Sequence, residues 1–165
     1  MPVDYPDLAR RIAALAEGET DTVALMATLA CEIHAADDRF DWTGFYRVVA
    51  PGLLKIGPYQ GGHGCLVIPF ERGVCGAAAR TGAAQIVDDV EAFPGHIACS
   101  SSTRSELVLP VRGQGGALLG VLDIDSDQPA AFGREDAEAL AAILEATFAA
   151  SADPLAPLVF NGVPA

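Results

Sequence analysis

Basic residues are scarce in this chain. Ten Lys and Arg stand against 22 Asp and Glu, for a formal net charge of -12. A field of that sign repels phosphate backbones and anionic headgroups, which argues against nucleic acid and acidic membrane surfaces as partners. Long apolar runs are missing as well. Hydrophobic residues make up 51% of the chain, yet no stretch approaches the roughly 20 consecutive apolar residues that span a bilayer. The N-terminus, MPVDYPDLARR, lacks the basic start and apolar core of a secretory signal, so a cytoplasmic location is expected. The four cysteines, Cys31, Cys65, Cys75 and Cys99, include no pair two to four residues apart, the usual mark of a zinc site. His96 and Cys99 do have short metal-ligand spacing. A zinc set would have to be completed by Cys65 and Cys75, 10 and 24 residues from the next cysteine along the chain. In a reducing compartment four cysteines are read as metal-binding, catalytic or buried rather than as structural disulfides.

With 165 residues and only 19% charged, the chain is long and apolar enough for one domain with a real core. Residues 4–16 suit a short helix with Pro6 in its first turn. A second helix, capped by Thr20 or Asp21, shows Val23, Met26, Ala27, Ala30 and Ile33 at helical spacing. Residues 41–49 and 53–59, joined by Pro51-Gly52, read as a strand hairpin. Residues 65–70 are extended, 73–82 form an Ala-rich helix stopped by Gly82, and 84–87 form a short strand. A long irregular segment covers 88–104. Residues 106–112 and 117–125 make a second hairpin around Gly113, Gly115 and Gly116. A last helix spans 133–149, with Ala137, Leu140, Ala141, Leu144 and Phe148 as its buried stripe. Hairpins dominate and no repeat or inter-core linker is visible, so the expected fold is a single α+β domain over residues 1–150, with a mostly antiparallel central sheet and packed helices. Residues 151–165, with three prolines and one charge, are expected to form a tail laid on the surface or left loose.

Several residues stand out chemically. Cys31 sits beside the second helix's apolar stripe and reads as a small buried hydrophobe. Cys65, Cys75 and Cys99 instead neighbour glycines or lie in loop sequence. Three such thiols suit thiol–disulfide chemistry, in which one attacks and another resolves the product. Asp123 and Asp125, two apart in a strand, share one face. There they repel unless a cation, proton or donor lies between them, or unless the face is solvated. Trp42, Gly44 and Tyr46 alternate on one strand face, as a clamp for an apolar or cationic group or as core packing. His96 can tune Cys99 or serve only as a turn residue.

The motifs DWTGFY (41–46), GPYQG (57–61), IPFERGVCG (68–76), VEAFPGHIAC (90–99), SELVLPVR (105–112) and GVLDIDS (120–126), in this order, resemble the free methionine-(R)-sulfoxide reductase family, which is built on a GAF domain. The likeness runs from about residue 20 to 148. It implies that Cys99 is the catalytic nucleophile, Cys65 the usual resolving cysteine and Cys75 an alternative resolver. It also implies that Glu106, Asp123 and Asp125 are acids of the substrate pocket, with Trp42 and Tyr46 as its aromatic wall. The implied reaction is reduction of free L-methionine (R)-S-oxide through a sulfenic acid and an intramolecular disulfide, recycled by thioredoxin, without metal or organic cofactor. The family's tendency to dimerise implies a homodimer. Cys31 and the Pro-rich tail have no counterpart in this pattern. The rival expectation is a non-catalytic GAF-type sensor of a small ligand or of redox state.

Overall fold

The computed structural model describes residues 3–156. Asp4 caps α1 (Tyr5–Leu15) by accepting the Asp7 N–H. Asp21 caps α2 (Thr22–His34) by accepting the Ala24 N–H. Next come β1 (Trp42–Ala50), β2 (Leu53–Gln60), β3 (Val67–Pro69), α3 (Gly73–Thr81), β4 (Gln85–Val87), β5 (Ser105–Arg112), β6 (Leu118–Ser126) and α4 (Arg134–Phe148). Gly82 ends α3 in the left-handed conformation that its missing Cβ permits. Six strands form one sheet in the order β3-β2-β1-β6-β5-β4, and every neighbouring pair is antiparallel. The α+β fold expected from the hairpin pattern is the one observed.

Strand alternation divides the buried residues between two faces. Phe45, Leu107, Leu109, Val111, Leu122 and Ile124 point to one side, where α1, α2 and α4 cover them. Full burial of each such side chain contributes roughly 1.5–3 kcal/mol. Asp136 in the first turn of α4 accepts bonds from Gly133 N (2.8 Å) and Tyr5 Oη (2.6 Å), tying α1 to α4. On the other face Trp42, Tyr46, Leu54, Ile68, Val108 and Val121 form a smaller cluster with α3. That face is only partly roofed, by α3 and the 88–104 segment, and it carries the site described below.

Two helix stripes differ from the periodicity reading. On α2 the buried set is Leu25, Met26, Leu29, Ala30 and Ile33, while Val23 and Ala27 are exposed. On α4 Ile143 is buried and Ala141 is exposed. In both helices several registers of apolar residues have helical spacing, and the larger side chains, Leu and Ile, win the core because they bury more area than Ala. The α2 stripe consequently faces away from Cys31, which is exposed rather than buried. Among the described residues no helix is long and apolar enough to cross a membrane. Ser151 begins the segment after α4, and its carbonyl accepts the Gln114 N–H (2.8 Å). Most of the Pro-rich tail, residues 157–165, lies outside the described residues.

Candidate active site

Strand register builds the site. β6 lies between β1 and β5, with Trp42 opposite Asp125, Gly44 opposite Asp123, and Glu106 opposite Asp125. The sequence-selected acids and aromatics therefore share one sheet face. Trp42 stacks on Tyr46 (ring centroids 5.9 Å apart) and on Tyr59 of β2 (5.4 Å). Its Nε1 donates to the Gly62 carbonyl (2.8 Å). Gly44 leaves the space the indole fills. A Cβ there would lie 2.4 Å from Trp42 Cη2 and 2.5 Å from Tyr59 Cβ. Tyr59 was not singled out in the sequence analysis, although its motif was; its signal was its place on the adjoining hairpin strand. Trp42 and Tyr46 border a cavity of about 290 Å³, whose walls also include His96, Cys99 and the three acids.

Glu106 and Asp123 are buried, 6% and 5% exposed, and Asp125 is half-buried. Buried carboxyls this close cannot all ionise. Burial raises Asp123 to about 6, with hydrogen bonds from Cys75 and Glu106 moderating the rise. Burial, reinforced by the Asp123 charge, pushes Glu106 and Asp125 well above the ordinary carboxyl range. Burial also lowers His96. Its Nδ1 lies 3.9 Å from Glu106 Oε2, but with the imidazole pushed toward neutral and the acid toward its protonated form, this is not an ion pair. His96 thus supplies no fixed cation beside Cys99. Two buried polar atoms on this wall, Asp123 Oδ1 and His96 Nδ1, have no hydrogen-bond partner. Leaving buried polar atoms unpaired is costly, so the cavity is suited to a ligand that satisfies them.

The thiols divide. Cys65, between the 61–64 break and β3, is disulfide-bonded to Cys99 in the 88–104 segment, with Cα atoms 5.3 Å apart. Cys75 is not a loop thiol: it lies on α3, 3% exposed, within the smaller core cluster. Gly76 beside it lets α3 pack close, since a Cβ there would lie 2.8 Å from the Pro69 and Phe70 carbonyls. Burial and the charges of Asp123 and Glu106 push the Cys75 thiol well up, so it keeps its proton. Its Sγ and a carboxylate oxygen from each of Glu106 and Asp123 lie within 4.8 Å of one another. A cation would find its donors here, in a set that sequence spacing did not suggest. The Cys65, Cys75, Cys99 and His96 combination is not the one assembled, because two of its thiols are joined to each other.

Cys99 of the Cys65–Cys99 disulfide, an aromatic wall and carboxyls raised by burial thus surround one small cavity. Such a site can bind a cationic small molecule, donate a proton and exchange a disulfide. Residues 6–150 match the GAF domain family. The chain is 41% identical over 138 residues to the free methionine-R-sulfoxide reductase of Escherichia coli, covering 82% of this chain and 81% of that one. Among solved structures, it resembles the free methionine-R-sulfoxide reductase of Neisseria meningitidis in complex with its substrate. There the TM-score is 0.80 and the identity 42%, over 87% of each chain. It also resembles the reduced form of the fRMsr of Staphylococcus aureus, with a TM-score of 0.84 and 36% identity over 88% of this chain and 94% of that one.

Proposed function

This chain belongs to the free methionine-R-sulfoxide reductases of the GAF-domain family, and from that premise we propose how its own residues reduce free methionine-R-sulfoxide. The observation that carries the reading is the Cys65–Cys99 bond at the wall of the acid-and-aromatic cavity. In the reduced protein the Cys99 thiolate attacks the sulfoxide sulfur. The oxygen gains a proton from Glu106 or one of the aspartates, all raised by burial, because a bare oxide is a poor leaving group. The protonated oxygen passes from the substrate sulfur to Cys99 Sγ as the bond between the two sulfurs breaks, so methionine departs with the electron pair and Cys99 is left as a sulfenic acid. The Cys65 thiol then attacks the Cys99 sulfur and water leaves. One sulfoxide is thus reduced by two electrons as two thiols become one disulfide. An external dithiol, thioredoxin by family membership, reduces that disulfide by thiolate exchange. A cytoplasmic setting and a homodimer rest on the sequence and the family.

The carboxyls have two tasks. One carboxylate of the cluster, ionised at neutral pH, supplies the negative charge that meets the ammonium of a free amino acid. A peptide-bound methionine sulfoxide has no ammonium and would leave that carboxylate buried without a partner, which disfavours it. The protonated acids also resolve a conflict. Charged carboxylates beside Cys99 would oppose its thiolate, but acids that keep their protons do not. Trp42 and Tyr46 hold the S-methyl end.

The test is methionine release from a mixture of free methionine sulfoxide diastereomers with a dithiol reductant. Wild type should consume only the R form, Cys99→Ser should consume neither while still binding methionine, and the N-acetylated R-sulfoxide should be spared. Wild-type turnover by Cys99→Ser would remove Cys99 as the nucleophile. Binding without turnover by wild type would make the chain a sensor.

A further inference from the structure

The disulfide has two sides. Cys99 lines the cavity and Cys65 does not. Cys65 instead leads into β3, the edge strand, which among the described residues pairs with β2 alone. The inner side of this segment is occupied: Ile56 N–H donates to the Leu66 carbonyl (3.0 Å), and Val67, Ile68 and Pro69 stand opposite Lys55, Leu54 and Leu53. Among the described residues, the outer side meets no strand. Leu66, directly after Cys65, is 70% exposed and Val67 47%. An edge with free backbone groups and exposed apolar side chains invites another chain to add alongside it. The cavity side offers no such approach, because a pocket of about 290 Å³ admits an amino acid but not the surface of a folded protein.

Building on the reductase reading above, we propose that the edge segment at Cys65, Leu66 and Val67 is the docking strip for the dithiol protein that recycles the enzyme, and that this protein attacks Cys65 rather than Cys99. A partner thiolate bonds to Cys65 Sγ, the Cys65–Cys99 bond breaks, and its electron pair leaves with Cys99. The partner's second thiolate then attacks the partner sulfur of this mixed disulfide and expels the Cys65 thiolate. The partner is oxidised to its disulfide as both cysteines are reduced. Attack from this side delivers the Cys99 thiolate into the cavity, facing the next substrate, while the partner is still docked outside. Leu66 seats on the apolar surface that flanks the partner's reactive thiol, and the extended backbone of the strip sets the line of attack. Substrate and reductant therefore use opposite sides of one bond.

Two measurements decide this. In the first, a thioredoxin whose second active-site thiol is changed to serine is incubated with the oxidised protein, and the trapped mixed disulfide is located by peptide mass mapping. The expected link is to Cys65, and a link to Cys99 overturns the proposal. This trap needs no sulfoxide, so it reads the docking side even if the sulfoxide activity fails. In the second, Leu66→Asp is assayed with thioredoxin and, separately, with dithiothreitol. Because Leu66 is exposed and contributes little to the core, the variant should fold. Its KM for thioredoxin should rise at least tenfold, while turnover with dithiothreitol and the KM for methionine sulfoxide stay at wild-type values. An unchanged KM for thioredoxin overturns the docking strip. Absence of turnover with dithiothreitol in the wild type would instead count against the reductase reading.

Discussion

Substituting Gly44 by alanine tests the aromatic wall most directly. The added methyl would sit 2.4 Å from Trp42 Cη2, 2.8 Å from Trp42 Cζ3 and 2.5 Å from Tyr59 Cβ. Carbon atoms rest about 3.5–4.0 Å apart, so roughly 1 Å of movement is needed. Tyr59 meets the methyl with its Cβ, which is fixed to the backbone of β2, so β1 and β2 must shift apart as well as the indole yielding. The indole is held in turn by its stack on Tyr46 and its bond to Gly62. Overpacking of this kind costs about 1–3 kcal/mol, which for a chain of this size lowers Tm by roughly 2–12 °C. The larger effect is on the site, where displacement of a positioning group by about 1 Å can cost on the order of a hundredfold in kcat/KM. Trp42 is the sole tryptophan, so its emission reports the displacement without a label. The expected result is a shifted emission maximum, a lowered Tm and a loss in kcat/KM in which KM rises. A Gly44→Ala variant with wild-type emission, Tm and KM would refute the reasoning.

The buried acids give stability an unusual pH slope. Asp123 holds its proton up to about 6, and Glu106 and Asp125 are raised as well, whereas in the unfolded chain such carboxyls titrate near about 4. Between those values the folded protein binds more protons than the unfolded chain, so raising the pH destabilises the fold. Asp123 alone accounts for on the order of 2–3 kcal/mol between about pH 4 and neutrality. Urea midpoints at pH 5 and pH 7.5 should differ less in Asp123→Asn than in wild type, and an unchanged slope would contradict the assignment. Cys75→Ser tests the third thiol. With Cys75 buried and holding its proton while Cys65 and Cys99 are bonded, the variant should still form the Cys65–Cys99 disulfide after one turnover, seen by non-reducing peptide mapping. A variant that stops at the Cys99 sulfenic acid would make Cys75 the resolver.

What was legible in the sequence followed from local rules. Period-two alternation grouped Trp42, Gly44 and Tyr46 on one face of their strand and Asp123 and Asp125 on one face of theirs, and Asp21 and Gly82 marked helix ends by their cap chemistry. What alternation could not supply was register between strands. That Glu106 stands opposite Asp125, and Gly44 opposite Asp123, depends on pairings between segments some 20 to 80 residues apart. Cys75 misled for a related reason. It lies on the helix expected there, but its flanking glycine suggested an accessible thiol, whereas Gly76 lets α3 lie against the Pro69 and Phe70 carbonyls and buries Cys75. Cys31 misled because several apolar registers compete along α2, and only packing against the sheet selects one.

Register also explains how the site can bind charge, give up a proton and keep a thiolate within one cavity. Three carboxyls on adjacent strands share too small a volume to ionise together, so they hold a partial negative charge and at least one proton at neutral pH. An arriving ammonium favours the ionised forms and lowers the affinity of the cluster for its remaining protons. In the proposed reaction the acid is therefore strongest when the sulfoxide oxygen has arrived to take its proton. In the empty site the protons stay and screen Cys99 from negative charge. An N-acetylated substrate would lose both effects, since it brings no ammonium to hold one carboxyl of the cluster ionised or to loosen the proton on another. Discrimination against it should thus appear in kcat as well as in KM, which separates a linked acid cluster from a pocket that merely excludes the acyl group.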